Sequence, residues 1–384
     1  MKRALILASV ASMIDQFNRN HILWLQELGY KVDVACNFEF GSTTSQERVE
    51  LVRSELEASG VSTYHIPIPR KIHSIKDIRT SYQMTRQLLS DNSYDLVHCH
   101  SPIGGVIARL TGRSHRGQGM RMIYTAHGFH FYENAPLANW MIYYPIERLC
   151  ASFTDVLITI NQEDYERAKR FMAGAVSYVP GVGVEKSGGE AQRELREPLR
   201  REFGVEPQEC MIVSVGELNV NKNHEVVIKA LASIEMPYKY VICGTGHKKA
   251  ELQQLAERLG VQDKVVFAGY RNDVQHILQA ADVFCLPSIR EGLSVALMEA
   301  LSAGLPCVAS KIRGNVDLIR DAQGGYLVDS KHVDGFRESL EGLISDPVTR
   351  EKFGDFNREY ANHFSVDTVK SHMMNIYQSP ARSV

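Results

Sequence analysis

The stretch DVFCLPSIREGLSVALMEALSAGLPCVAS, Asp282 to Ser310, decides the fold. It opens on one short aliphatic run, DVFCLP, and closes on another, PCVAS, each of the length and composition of a strand buried on both faces. Between them a loop carries Glu291 and Gly292, and Ser294 stands where a hydroxyl can cap a helix that contains Glu299. Strand, loop, helix and strand in that order form a βαβ unit with parallel strands.

The same alternation extends outward in both directions. The first half reads RALILAS, KVDVAC, VSTYHIPI, DLVHCH, RMIYTA, DVLITI and VSYVP, with helical-period segments between them. A second series follows as MIVSVG, YKYVICG, KVVFAG, DVFCLP, PCVAS and GGYLV, so the sequence predicts two doubly wound α/β domains. The boundary falls in PGVGVEKSGGEAQ, Pro180 to Gln192, the densest glycine stretch and a candidate hinge. After about Asp346 only helical patterning remains, ending in SVDTVKSHMMNIYQ.

A length of 384 residues suits two domains, and 44% hydrophobic residues supply a core for each. Lys and Arg number 43 against 45 Asp and Glu, so there is no overall field for gripping nucleic acid. The seven cysteines (Cys36, Cys99, Cys150, Cys210, Cys243, Cys285 and Cys307) are odd in number, scattered and never paired as C-x-x-C. That pattern implies a reducing compartment and no structural zinc, and a cytoplasmic location is expected. Lys2 and Arg3 before an apolar run resemble a secretory signal, but DQFNRNHILWLQELG follows at once with a second apolar face at helical spacing. The start therefore reads as the first strand and helix of a domain. No run approaches a membrane span.

Within the deciding stretch, Glu291 precedes the helix and Glu299 lies more than one turn inside it. The amides of Leu293, Ser294 and Val295 stand between them at a helix N-terminus, where an anion is favoured. Two carboxylates flanking a phosphate-binding helix end suit a ligand with hydroxyls at both ends and phosphate in the middle, which is the layout of a nucleotide sugar. The bland alternative is a pair of solvated glutamates. The apolar surroundings of Glu299 oppose it, since a carboxylate against a buried face is costly without a partner.

The E-x7-E element EGLSVALME, after SIR and before ALSAGLP, resembles the donor-binding motif of the retaining family 4 glycosyltransferases of the GT-B fold. The likeness extends over nearly the whole chain. YTAHGFHFYENAPLANWMIYYPIE and VGELNVNKNHEVVIKAL are most similar to the bacterial capsule and exopolysaccharide members. The resemblance implies two Rossmann-like domains with a cleft between them: an acceptor-binding domain over 1–184, a nucleotide-sugar-binding domain over 185–363, and a C-terminal helix over 364–384 crossing back to the first domain. It also implies that Glu291 contacts donor-sugar hydroxyls with Gly292 beside it, and that Glu299 binds the ribose hydroxyls.

In SVGELNVNKNHEVVIKAL, Gly216 ends a strand, and Asn221 and Lys222 lie in the loop before a helix. A cation there can neutralise the departing diphosphate. The family usually has an arginine two residues past that strand; this chain has Glu217, and Arg271, Arg290 and Lys248 are candidate replacements. GTGHKKAEL lacks the third glycine of a dinucleotide fingerprint. In TAHGFHF, His127 and His130 bracket Gly128 past a strand end. The resemblance assigns His127 to the donor sugar near its 6-hydroxyl. His98 and His100 of VHCHSP point to one side of a strand, and without acidic partners they are not read as a metal site.

Together these readings imply a hexosyl- or N-acetylhexosaminyl-type transferase, with retention of configuration and no metal or cofactor. Its expected donor is a UDP-sugar, and its acceptor a saccharide or lipid-linked saccharide. A GT-B nucleotide-sugar epimerase and a two-lobed sugar-binding protein without turnover are the alternatives; a nicotinamide oxidoreductase is disfavoured by the missing fingerprint. Two basic stretches, PRKIHSIKDIR (Arg70, Lys71, Lys76, Arg79) and RLTGRSHRGQGMR (Arg109, Arg113, Arg116, Arg121), read either as solvated faces or as contacts to an anionic membrane surface at the inner face of the plasma membrane. The sequence leaves the oligomeric state open.

Overall fold

The computed structural model describes residues 1–39, 45–70, 74–187 and 195–379. All thirteen strand readings correspond to strands. The first sheet holds β1 (Lys2–Val10), β2 (Tyr30–Asn37), β3 (Ser62–His65), β4 (Leu96–His100), β5 (Arg121–Ala126), β6 (Val156–Thr159) and β7 (Ala175–Tyr178), in the order β3-β2-β1-β4-β5-β6-β7. The second holds β8 (Cys210–Val215), β9 (Tyr238–Cys243), β10 (Val265–Gly269), β11 (Val283–Leu286), β12 (Cys307–Ser310) and β13 (Gly325–Val328), in the order β10-β9-β8-β11-β12-β13. Every pairing is parallel. In each sheet the order reverses beside the first strand, at β1/β4 and at β8/β11, and such a switch point opens a crevice at the carboxyl ends of the strands.

The central strands form because their residues have no polar face to leave outside: Ala4 to Ala8 of β1 and Val283 to Leu286 of β11 are all buried. Helices on both sides close two separate cores, one around Leu5, Leu7, Val97, Met122 and Tyr124, the other around Ile212, Val227, Tyr240, Ile242 and Leu340. All seven cysteines are free and buried in these interiors. The chain divides into Met1–Val182 with the segment from Val369, and Gly183–Thr368. The candidate hinge lies partly outside the described residues, which omit 188–194. Within the second unit Val184 pairs with Ser365, its amide donating to the Phe364 carbonyl at 3.0 Å. The helix Val366–Gln378 then enters the first unit, where Arg121 donates to the Tyr377 and Ile376 carbonyls at 3.0 and 2.9 Å.

The reading of RLTGRSHRGQGMR as a solvated face or a membrane-contacting patch is corrected by the structure for three of its four arginines. Arg109 is fully buried, pairs with Glu147 at 2.8 Å and lies 3.8 Å over the Tyr124 ring. Arg121 is buried against the last helix, and Arg116 pairs with Asp155 at 2.5 Å. The segment contains no acid because its partners come from other elements, and Arg113 alone of the four is exposed. In the other stretch Lys76 and Arg79 are exposed, while Lys71 lies outside the described residues.

Candidate active site

In the second unit the site residues gather at the β8/β11 switch point. β8 ends at Val215, and the following loop reaches Asn223 in the left-handed conformation, φ 51°, before the helix His224–Leu231. β11 ends at Leu286, and its loop reaches Ser294, whose hydroxyl accepts from the Leu297 amide at 3.3 Å and caps the helix Val295–Ser302. The loops are cross-braced. The Ile289 amide donates to the Asn221 carbonyl at 2.8 Å, Asn221 Nδ2 donates to the Arg290 carbonyl at 3.0 Å, and Asn223 Nδ2 donates to the Pro287 and Ser330 carbonyls. Asn221 thus positions the loop that carries Glu291.

Across this brace Lys222 Nζ donates to Glu291 Oε1 at 2.7 Å. Gly216 makes room for the lysine: a Cβ there, at φ +158°, would stand 2.9 Å from Lys222 Cε. Beyond Glu291 the amides of Gly292, Leu293, Ser294 and Val295 have no acceptor among the described residues, so they present the positive end of the capped helix. Glu299, on the same helix, is half-buried with no hydrogen-bond partner or counter-charge among the described residues, and burial pushes its carboxyl up to about 7. The arrangement brings together the Lys222 cation, the anchored Glu291 carboxylate, a row of amides and the Glu299 carboxylate, whose burial a hydroxyl-bearing ligand could relieve.

The candidate replacements for the missing arginine fare unequally. Arg271 is held by Glu202 at 2.5 Å and Asp273 at 2.6 Å, and Lys248 is paired with Glu251. Arg290 is exposed, and Glu217, also exposed, accepts from Asn219 Nδ2 at 2.7 Å. A residue that sequence reasoning missed lies closer: Arg313, in the turn after β12, donates from Nε to the Glu291 carbonyl at 3.3 Å. The adjacent Gly314, at φ +81°, lets that turn press on the Gly292 carbonyl, which a Cβ would meet at 2.3 Å. An Arg-Gly pair just past a strand end was the available signal. The Gly244-x-Gly246 turn has a packing role: Cβ atoms there would meet the Gly216 and Leu218 carbonyls at 1.9 and 2.4 Å.

In the first unit His127 belongs to a buried histidine cluster. His98 and His100 share one face of β4, with ring centroids 4.2 Å apart. His98 Nε2 lies 2.8 Å from Thr125 Oγ1, and its Nδ1 lies 2.8 Å from the Tyr377 hydroxyl, which is 3.1 Å from His21 Nδ1. His100 Nδ1 lies 3.1 Å from His127 Nε2, while His100 Nε2 is buried with no partner. A buried N–H without an acceptor is rarer and costlier than an unpaired lone pair, so the His100 proton belongs on Nδ1 and is donated to His127. Burial holds His127 down to about 4; it is therefore neutral near pH 7 and carries its own proton on Nδ1. His21 and Tyr377 come from distant segments and carry no local signal. His130 stacks on Tyr143, with ring centroids 4.5 Å apart. Among the described residues no group of three or more His, Cys, Asp or Glu is placed to hold a metal ion.

Comparison with known proteins agrees with this fold. A family model described as "Glycosyl transferases group 1" matches residues 196–360, and one described as "Glycosyl transferase 4-like domain" matches residues 16–180. EpsD of Bacillus subtilis (strain 168), a protein named as a glycosyltransferase, is 33% identical over 384 residues, covering 98% of this chain and 97% of its own. The UDP-Gal:alpha-D-GlcNAc-diphosphoundecaprenol alpha-1,3-galactosyltransferase of Escherichia coli is 29% identical, covering 80% of this chain and 81% of its own. The crystal structure of HepE from Anabaena in complex with UDP has the same fold, with a TM-score of 0.76 at 18% identity over 98% of this chain and 99% of its own. Two doubly wound sheets, matched by glycosyltransferase family models in both halves of the chain, make this a GT-B glycosyltransferase. The chain belongs to family 4 of that class.

Proposed function

We propose that this glycosyltransferase moves a hexosyl or N-acetylhexosaminyl unit from a UDP-sugar to a lipid-linked saccharide, with retention and without a metal ion, during surface polysaccharide synthesis at the inner face of the plasma membrane. The observation that carries the reading is the Lys222–Glu291 pair standing before the free amides of Gly292 to Val295. On donor binding the diphosphate takes over Lys222, and Glu291 is released to accept from sugar hydroxyls. Glu299 accepts from the ribose diol, whose donors compensate its buried charge. The acceptor oxygen bonds to the anomeric carbon as the bond to the phosphate oxygen breaks, and that oxygen takes the acceptor proton while Lys222 and the amides hold its charge. Relatives named for transfer from UDP-Gal to a diphosphoundecaprenol-linked sugar and for a complex with UDP support this donor and acceptor class.

The test is incubation of UDP-hexoses and UDP-N-acetylhexosamines with a lipid-linked saccharide extract in excess EDTA, with NMR assignment of the product linkage. The expected result is release of UDP and an anomeric configuration equal to the donor's. An inverted linkage, activity that returns only with magnesium, or epimerised nucleotide sugar without transfer would each overturn it.

A further inference from the structure

The helix Leu137–Ala151 of the first unit buries one side and leaves the other bare. Its inner face turns Glu147, Cys150 and Ala151 into the domain, with Tyr144 against Phe131 and Phe171. Its outer face carries Leu137, Met141, Ile142, Ile146 and Leu149, which are 73, 65, 49, 38 and 60% exposed. Five large apolar side chains along one fifteen-residue helix form a continuous ridge, not the scattered single exposures common on soluble surfaces. The one charged side chain on that face is Arg148. The neighbouring helix, Pro102–Arg116, is fixed to this one by Arg109 on Glu147 and by Arg116 on the Ser152 carbonyl at 2.9 Å, and between those anchors it exposes Arg113.

We infer that this ridge docks on an anionic lipid bilayer, with Leu137, Met141 and Leu149 entering the interface and Arg113 and Arg148 meeting the headgroups. The chemistry is that of an interfacial helix: apolar area supplies the binding and flanking cations add attraction to acidic lipid. Charge selects the bilayer over a second copy. A two-fold contact would set this patch against itself and bring Arg113 and Arg148 toward their own equivalents with no acid on the face to offset them. The basic stretch alone could not serve, because three of its four arginines are buried or paired. The inference deepens the proposed use of a lipid-linked acceptor by naming the surface that brings the enzyme to it, but its test needs neither donor nor acceptor.

The full chain is sedimented with phosphatidylcholine vesicles containing roughly 30% phosphatidylglycerol, and with phosphatidylcholine alone. The wild type should bind the mixed vesicles. Met141→Glu with Leu149→Glu should lower the partition coefficient roughly tenfold or more, whereas Arg113→Glu with Arg148→Glu should remove the preference for acidic lipid. Both sites are exposed, so melting curves should match the wild type; if the glutamate pair unfolds, the milder Met141→Ser with Leu149→Ser replaces it. Failure of the wild type to bind either vesicle, wild-type binding by the apolar-site variant, or a solution dimer that this variant dissociates would overturn the inference.

Discussion

Glu299 shows how one residue can store a cost that a ligand removes. Its carboxyl is pushed from 4.5 to about 7, so the folded chain holds that proton more tightly than the unfolded chain does. Stability therefore falls as pH rises from 4.5 through 7, by at most about 3 kcal/mol for this group. Glu299→Gln carries no charge at any pH. Without nucleotide, the variant should melt above the wild type at pH 8 and together with it at pH 5, while UDP affinity drops. A stability difference equal at both pH values would mean that the carboxylate is not strained. The placement of Glu291 before and Glu299 within the capped helix was legible in the sequence because their spacing straddles a helix start. Arg313 was not, because the Arg-Gly pair past a strand end marks it only weakly and its contact with Glu291 depends on β12 lying beside β11.

At the scale of elements, the turn after β12 shapes the anion-binding loop from outside. Gly60 and Gly314 share a positive φ, +79° and +81°, but a Cβ on Gly60 meets nothing within 4 Å, whereas one on Gly314 meets the Gly292 carbonyl at 2.3 Å. Gly60→Ala should cost about 1–2 kcal/mol from the left-handed conformation alone and leave UDP binding intact. Gly314→Ala should cost more and also weaken UDP binding, since the backbone of the amide row must move. Calorimetric melting and UDP titration of both variants check this; unchanged UDP affinity in Gly314→Ala would separate the turn from the site. All thirteen strands could be read in advance because each is a short aliphatic run with turn residues beside it. The acid-free stretch from Arg109 to Arg121 misled because charge balance is struck between elements: Glu147 and Asp155 lie beyond any local window.

Over the whole molecule, the two doubly wound sheets carry different groups of side chains near their switch points. The first unit offers a neutral histidine braced by a buried cluster that the last helix completes through Tyr377. The second offers charge: Lys222, Glu291 and the amide row. Sequence patterning reached the architecture and most of the second site, but assembly of the cluster from His21, His98, His100, His127 and Tyr377 depended on the fold. The central claim is that Lys222 and the helix start grip a nucleoside diphosphate without a metal. Titration calorimetry of UDP into the wild type and Lys222→Ala, both in excess EDTA, tests it most directly. The wild type should bind, and the variant should bind with an affinity lower by roughly tenfold or more, the loss expected for a charge-assisted contact. Binding that requires magnesium, or equal affinity in the two proteins, would contradict it.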